Sequence, residues 1–434
     1  MDDGPTTRSS PPALAAARGQ TSHWSRRRRS KGSRPLAATR ATFAMLYAVD
    51  GAILPFFSVF LARAHGLSAG QIGLVLAIGG AASIPAPFLL SMLADRFGRA
   101  VRLLMLVLTG SALTLLAMTV ADGYWQIALV YALFMVVHES ARPLLDGVFF
   151  KAQRRTAQLR TVSYHRVRIW GTFGFMVPGV VIYFAMSDDT SLAGLPAVAS
   201  GLALLAVVSA FHLPTRRAPG GAPEKTKNQL ASSSLPELFK AAGALLKRPT
   251  TAVFVLAMFC MQTSFTAYSV FYPLHVTDVV GLAPRWLGLI TNVGVFIELG
   301  YMAAFAWFVR RLGWRWLMVA GAIAAALRLV LLAALPTAGV AVGTQVVHGL
   351  VIIVLMVASR VVLDQQASSA IRHTAQGLFA MIVIGGGRIA GSAIGGLIAA
   401  HSISALFWSA AALSGFAAVL LAWCLRHFHS DHPT

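Results

Sequence analysis

Twelve stretches of predominantly apolar residues follow one another along this 434-residue chain, near 41–62, 70–93, 102–120, 126–150, 163–185, 192–213, 249–273, 284–308, 316–335, 341–363, 375–399 and 404–425. A helix needs about 20 such residues to cross the hydrocarbon core of a bilayer. Only helices and closed barrels satisfy every backbone polar group there. The pattern therefore predicts an all-α membrane protein of twelve transmembrane helices in two six-helix bundles. Hydrophobic residues make up 57% and charged residues 12% of the chain, with a mean hydropathy of +0.69, so a soluble globular domain is excluded.

The basic residues set the expected orientation. Arg8, Arg18, Arg26 to Arg29, Lys31, Arg34 and Arg40 precede the first span, and alternate loops carry Arg96, Arg99, Arg102, Lys151, Arg154, Arg155, Arg160, Arg310, Arg311, Arg315, Arg360 and Arg372. The opposite loops keep only Arg63 and Arg285. By the positive-inside bias both termini are expected in the cytoplasm, and the protein in a bacterial inner membrane. That asymmetry accounts for most of the net charge of +21, so a nucleic-acid partner is not expected. The chain divides into a disordered basic tail (1–40), a first bundle (41–213), a polar linker (214–248), a second bundle (249–427) and a short tail (428–434). Arg168-Ile-Trp-Gly171-Thr in the fifth span resembles Arg388-Ile-Ala-Gly391-Ser in the eleventh, as a duplicated half would. Parallel repeats of this kind place a binding site near the midplane, between the halves.

Charged side chains interrupt the apolar segments. His138, Glu139, Arg142 and Asp146 share one stripe of the fourth span, because spacings of three and four bring residues to one helix face. A charge at mid-bilayer costs several kcal/mol (about 2.5–3.5 on insertion scales), so the stripe must face partners or water. Asp50, Glu298, Arg328, His348 and Arg388 repeat the pattern elsewhere. A polar path through the middle of a bundle predicts a transporter of a small solute rather than an enzyme. His138-Glu139-Ser-Ala-Arg142 lacks the second histidine of a zinc-protease helix, and Cys260 and Cys424 are far apart, so no metal or other cofactor is expected. No selectivity-filter sequence of a channel is present.

The loop after the second span, Ser91-Met-Leu-Ala-Asp95-Arg96-Phe-Gly98-Arg99, resembles the signature loop of the major facilitator superfamily. The resemblance implies a conformational latch built from Asp95, Arg96, Gly98 and Arg99. Within that superfamily the chain from about 43 to 425 looks like the phenylpropionate permease group and its relative lactose permease. The likeness rests on Gly51-Ala-Ile-Leu-Pro55-Phe-Phe, Pro143-Leu-Leu-Asp146, Arg166-Val-Arg168-Ile-Trp-Gly171, Ile297-Glu298-Leu, Arg328 and His348. It implies substrate contacts at Asp146, Arg168 and Glu298. Phe175 falls where lactose permease stacks a tryptophan on its sugar. Val351 replaces a proton-carrying glutamate, the paired aspartates of the seventh helix have no counterpart, and Asp50 is additional. Lactose itself is therefore not the expected substrate.

These readings combine into one expected mechanism. Asp146, Arg168, Glu298, Phe175, Trp170 and Arg142 bind substrate, with Tyr164 as further aromatic surface. Glu298, Asp50, Glu139, Arg328 and His348 couple its movement to protons, Arg328 neutralising ionised Glu298. A monomer embedded in the lipid bilayer would import an aromatic acid, sugar or nucleoside by proton symport. Proton-antiport export of drugs or metabolites is the alternative.

Overall fold

In the computed structural model the structure describes residues 17–155, 157–186, 192–214, 235–368 and 371–427, and these contain helices and turns without a strand. Nine spans are single runs: α2 Ala69–Phe97, α3 Ala100–Met118, α4 Tyr124–Arg154, α5 His165–Ala185, α6 Leu192–Ala210, α7 Pro249–Val279, α10 Ala338–Gln366, α11 Arg372–Ala399 and α12 Ile403–Cys424. The first span, α1, is a pair, Pro35–Ile53 and Phe57–His65, bent by 49°. The bend falls at Pro55, which lacks an N–H and cannot continue the hydrogen-bond ladder. Trp286–Ala334 runs for 49 residues, broken only at Gly313 with φ 70° and ψ 164°. At 1.5 Å per residue, roughly twice the ~30 Å hydrocarbon core is covered. It is two spans, α8 (286–312) and α9 (314–334), and the total among the described residues is twelve.

The two halves repeat one packing scheme. In the first, α1 packs on α5 and α6, and α4 on α2 and α3; in the second, α7 packs on α11 and α12, and the α8–α9 unit on α10 and α12. Small residues permit the tightest approaches. A Cβ on Gly51 would run into the Phe175 backbone, and one on Gly174 into the Ala44 backbone, so α1 and α5 lie almost in backbone contact. Gly387 and Gly391 of α11 meet Gln262, Thr263 and Thr266 of α7 in the same way.

Packing between the halves is concentrated at the end that carries the turns at Gly66 and Gly281. There Gly73 of α2 meets Gly396 of α11, and Gly179 of α5 meets Gly288 of α8. Asn292 of α8 donates to the Met176 carbonyl of α5 at 2.7 Å, and Arg63 pairs with Asp278 at 3.2 Å. Toward the opposite end, residues 86–97 of α2 pack on their own half and leave Phe88, Met92 and Phe97 exposed. The halves thus enclose a cleft that is closed at the first end and opens toward Gly98.

Two features differ from the sequence reading. The helix leading into α1 begins at Ala17, so residues 17–40 are helical rather than disordered, while 1–16 lie outside the described residues. Inside the segment read as a linker, Leu235–Leu246 is a helix whose Ala242 and Leu245 pack against Ala375 at the start of α11. Residues 215–234 of the linker and the C-terminal tail, 428–434, lie outside the described residues.

Candidate functional site

Glu139 is the central residue of α4, and Pro143 four residues on removes the amide that its carbonyl would otherwise accept. The stripe identified in the sequence faces α1 and α11. Asp50, buried on α1, accepts from Arg142 at 2.8 Å and lies 3.1 Å from His138 Nε2. Arg142 donates its other nitrogen to Glu139 Oε2 at 2.8 Å, and Glu139 Oε1 lies 3.3 Å from Arg388 of the second half. The His138 ring stacks on Phe134, 4.8 Å between centroids. The result is one unbroken chain, His138–Asp50–Arg142–Glu139–Arg388, that crosses from half to half.

Asp146 and Arg168, both expected to bind substrate, do not pair with each other. Asp146 accepts from the Tyr164 hydroxyl at 2.8 Å, and Tyr164 is wedged among Phe43, Phe149 and Phe150. Burial and the neighbouring carboxylate push the Tyr164 phenol up, which keeps it a donor. Arg168 instead lies over the Tyr47 ring of α1, 4.0 Å from its centroid, and Arg142 covers the same ring at 5.6 Å. Among the described residues Arg168 makes no hydrogen bond or ion pair, although it lies within electrostatic reach of Asp146 and of Glu298.

Phe175 follows Arg168 by seven residues, hence on the same face of α5, and is half-buried against Gly51. Trp170 is elsewhere. Two residues from Arg168, about 200° around the helix, it joins the exposed apolar stripe of Phe173, Val177, Val181 and Phe184 and lies under Arg40. That stripe faces away from the cleft.

The second half supplies another network. Glu298 Oε2 is 4.0 Å from His348 Nε2, and His348 Nδ1 is 3.4 Å from Arg328. Arg328 is 3% exposed and donates to Tyr268 and, at 3.0 Å, to Gln345, while its guanidinium lies 3.9 Å from the Tyr268 ring centroid. Arg328 was expected to neutralise Glu298 directly; His348 stands between them. A tight 3₁₀ turn at Thr344–Val347 precedes His348 and a π-bulge at Val354–Ala358 follows the next helical turn. Such irregular turns re-aim side chains, here Gln345 and His348, within a continuous span. Gly294 and Gly349 leave the room in which these side chains meet Glu298.

Glu139, Arg142, Glu298 and Arg388 sit at mid-span yet keep 19%, 28%, 22% and 36% of their side-chain surface exposed. Polar groups so exposed at that depth line the cleft. The latch residues lie outside it. Gly98 ends α2 with φ 64°, as the sequence motif requires. Asp95 is exposed and forms no ion pair among the described residues, and Arg96 lies over Phe97 at 6.0 Å. Arg99 precedes α3 without a side-chain cap. Tyr47, Tyr268 and Gln345 complete the site although the sequence did not mark them.

Residues 37–410 match the MFS_1 like family. Xanthosine permease of Escherichia coli K12 is 24% identical over 365 residues, covering 81% of this chain and 84% of that one. The crystal structure of the nucleoside transporter NupG superposes with a TM-score of 0.77 at 20% identity, covering 91% and 98%. That of the POT family transporter PepTSo does so at 0.68 and 13%, covering 92% and 99%. Xanthosine permease and NupG place the likeness with nucleoside permeases rather than specifically with the phenylpropionate and lactose permeases that the sequence motifs resemble. With its twelve spans and a charged cleft between two halves, the chain is an integral membrane protein and a secondary transporter, and it belongs to the MFS_1 like family.

Proposed function

We propose that this protein imports nucleosides by proton symport, as a monomer in a bacterial inner membrane with both termini in the cytoplasm. The carrying observation is the charge balance of the cleft. Four acids (Asp50, Glu139, Asp146, Glu298) meet four arginines (Arg142, Arg168, Arg328, Arg388), so with neutral histidines the net charge is nil. Such a cleft suits a polar, uncharged solute with many hydrogen-bonding groups better than an organic anion. The likeness to xanthosine permease and to the nucleoside transporter NupG supports the same class. In this reading Arg168, Asp146, Phe175 and Glu298 contact substrate.

The proton carrier is Glu298. Asp50 is held by two partners and Glu139 by two arginines, and a carboxylate clamped by cations does not readily give up its ionised form. Among the described residues Glu298 has only His348 within ion-pair distance, at 4.0 Å. It takes a proton before the halves close around the substrate and releases it once the cleft opens to the cytoplasm, with His348 and Arg328 behind it.

Uptake by proteoliposomes with an alkaline lumen tests this. Labelled xanthosine, uridine and adenosine, with a phenylpropionate and a galactoside as controls, are followed with external pH. Nucleoside accumulation with external alkalinisation is expected. Acidification on substrate addition, or uptake of the controls alone, overturns the proposal.

A further inference from the structure

Arg168 is unusual among the arginines at the cleft. Arg142, Arg328 and Arg388 are each tied to carboxylates or amides, whereas Arg168 has no hydrogen-bonding partner among the described residues. What fixes it is an aromatic face, Tyr47, at 4.0 Å. A cation–π contact fixes a guanidinium without a carboxylate or carbonyl partner.

The surroundings are shaped for that stack. A Cβ at Gly171, one turn along α5 from Arg168, would come within 2.7 Å of Tyr47 Cδ2 and 2.9 Å of Arg168 Nη1. Only a residue without a side chain leaves room for ring and guanidinium together. Arg142 also approaches the ring, at 5.6 Å from its centroid, and is itself fixed by Asp50 and Glu139. Tyr47 thus lies against both Arg168 and an arginine of the cross-half ionic chain. Its own hydroxyl forms no hydrogen bond among the described residues.

We infer that Tyr47 is a positioning residue for substrate recognition: its ring, given clearance by Gly171, holds Arg168 with its donors directed into the cleft. The inference rests on the reading of Arg168 as a substrate contact. It gives α1, which contributes no charge to the substrate itself, a part in affinity.

Nucleoside uptake kinetics of four variants test it: Tyr47→Leu, Tyr47→Phe, Gly171→Ala and Arg168→Lys. Tyr47→Leu removes the ring and is expected to raise KM about tenfold, the scale of a desolvated cation–π contact, with kcat falling less. Tyr47→Phe keeps the ring and recovers most of that loss. Gly171→Ala raises KM similarly while the helix itself gains propensity, and thermal unfolding of each purified variant separates affinity from folding. Normal KM in both Tyr47→Leu and Gly171→Ala, beside a raised KM in Arg168→Lys, overturns the inference and spares the role of Arg168. A normal KM in Arg168→Lys removes that role and the inference with it.

Discussion

Glu139 holds Arg142 of its own helix with one carboxylate oxygen and reaches Arg388, in the other half, with the second, at 2.8 and 3.3 Å. The Arg388 stem passes over Gly80 of α2, where a Cβ would lie 3.4 Å from Cδ. Gly80 is seven residues, about 10 Å, along α2 from the Gly73 contact at the closed end. The ion pair therefore ties the halves near the depth about which they must rock. Replacing Glu139 by Gln leaves Arg388 without its carboxylate and Arg142 with Asp50 alone in a partly hydrated cleft. A loss of about 1–3 kcal/mol is expected, less than for a fully buried pair because water reaches these groups. Thermal unfolding in detergent measures it, and proton-to-substrate stoichiometry is expected to stay as in the parent protein.

Glu298→Gln is expected to separate exchange from accumulation. One unit of pH gradient supports about tenfold accumulation at one proton per substrate. The variant should bring substrate only to equal concentrations on both sides while still exchanging internal for external nucleoside. Measurement of steady-state uptake and counterflow in the same vesicles decides this; retained accumulation would move the carrier elsewhere.

Asp50→Asn makes the opposite prediction. Asp50 is buried between His138 and Arg142. Its loss takes from Arg142 one of two carboxylates, at a cost of about 1–3 kcal/mol, below that of stranding a fully buried charge because Glu139 still holds Arg142. Lower yield and a lower unfolding temperature are expected, with proton coupling intact in the protein that folds. Uncoupled transport by well-folded Asp50→Asn would assign it a proton-carrying role instead.

Much of this architecture is legible in the sequence because lipid is an unforgiving solvent. Length and hydropathy define the spans, and i, i+3, i+4 spacing puts Glu139, Arg142 and Asp146 on one stripe. What spacing does not reveal is the partner. Asp146 chooses Tyr164 and Arg168 chooses Tyr47 because the turn before α5 and the Gly171 clearance bring those rings close, which is a matter of packing. Tyr47, Tyr268 and Gln345 carry no charge themselves, so the pattern of intramembrane charges that marks Asp50, Arg328 and His348 passes over them. Trp170 is the reverse case: the 200° offset from Arg168 was already written in the two-residue spacing.

Bulk at the closed end is expected to hold it open. A Cβ on Gly73 would stand 2.7 Å from the Gly396 Cα, against backbone that cannot yield. Gly73→Val is therefore expected to bind nucleoside but not carry it across. Thiol labelling of a cysteine introduced at Gly281 reports the exposure of that end, and labelling no faster than in the parent would contradict the expectation.

Where Gly73 faces Gly396 and Gly179 faces Gly288, the closing surfaces are bare main chain. Such a seam has no rotamers to freeze each time it forms, so each closure is spared the entropy that ordering long side chains demands. It also has no soft parts to take up a poor fit. At those two crossings the seal therefore depends on helix spacing, and one misplaced methyl is enough to hold it apart.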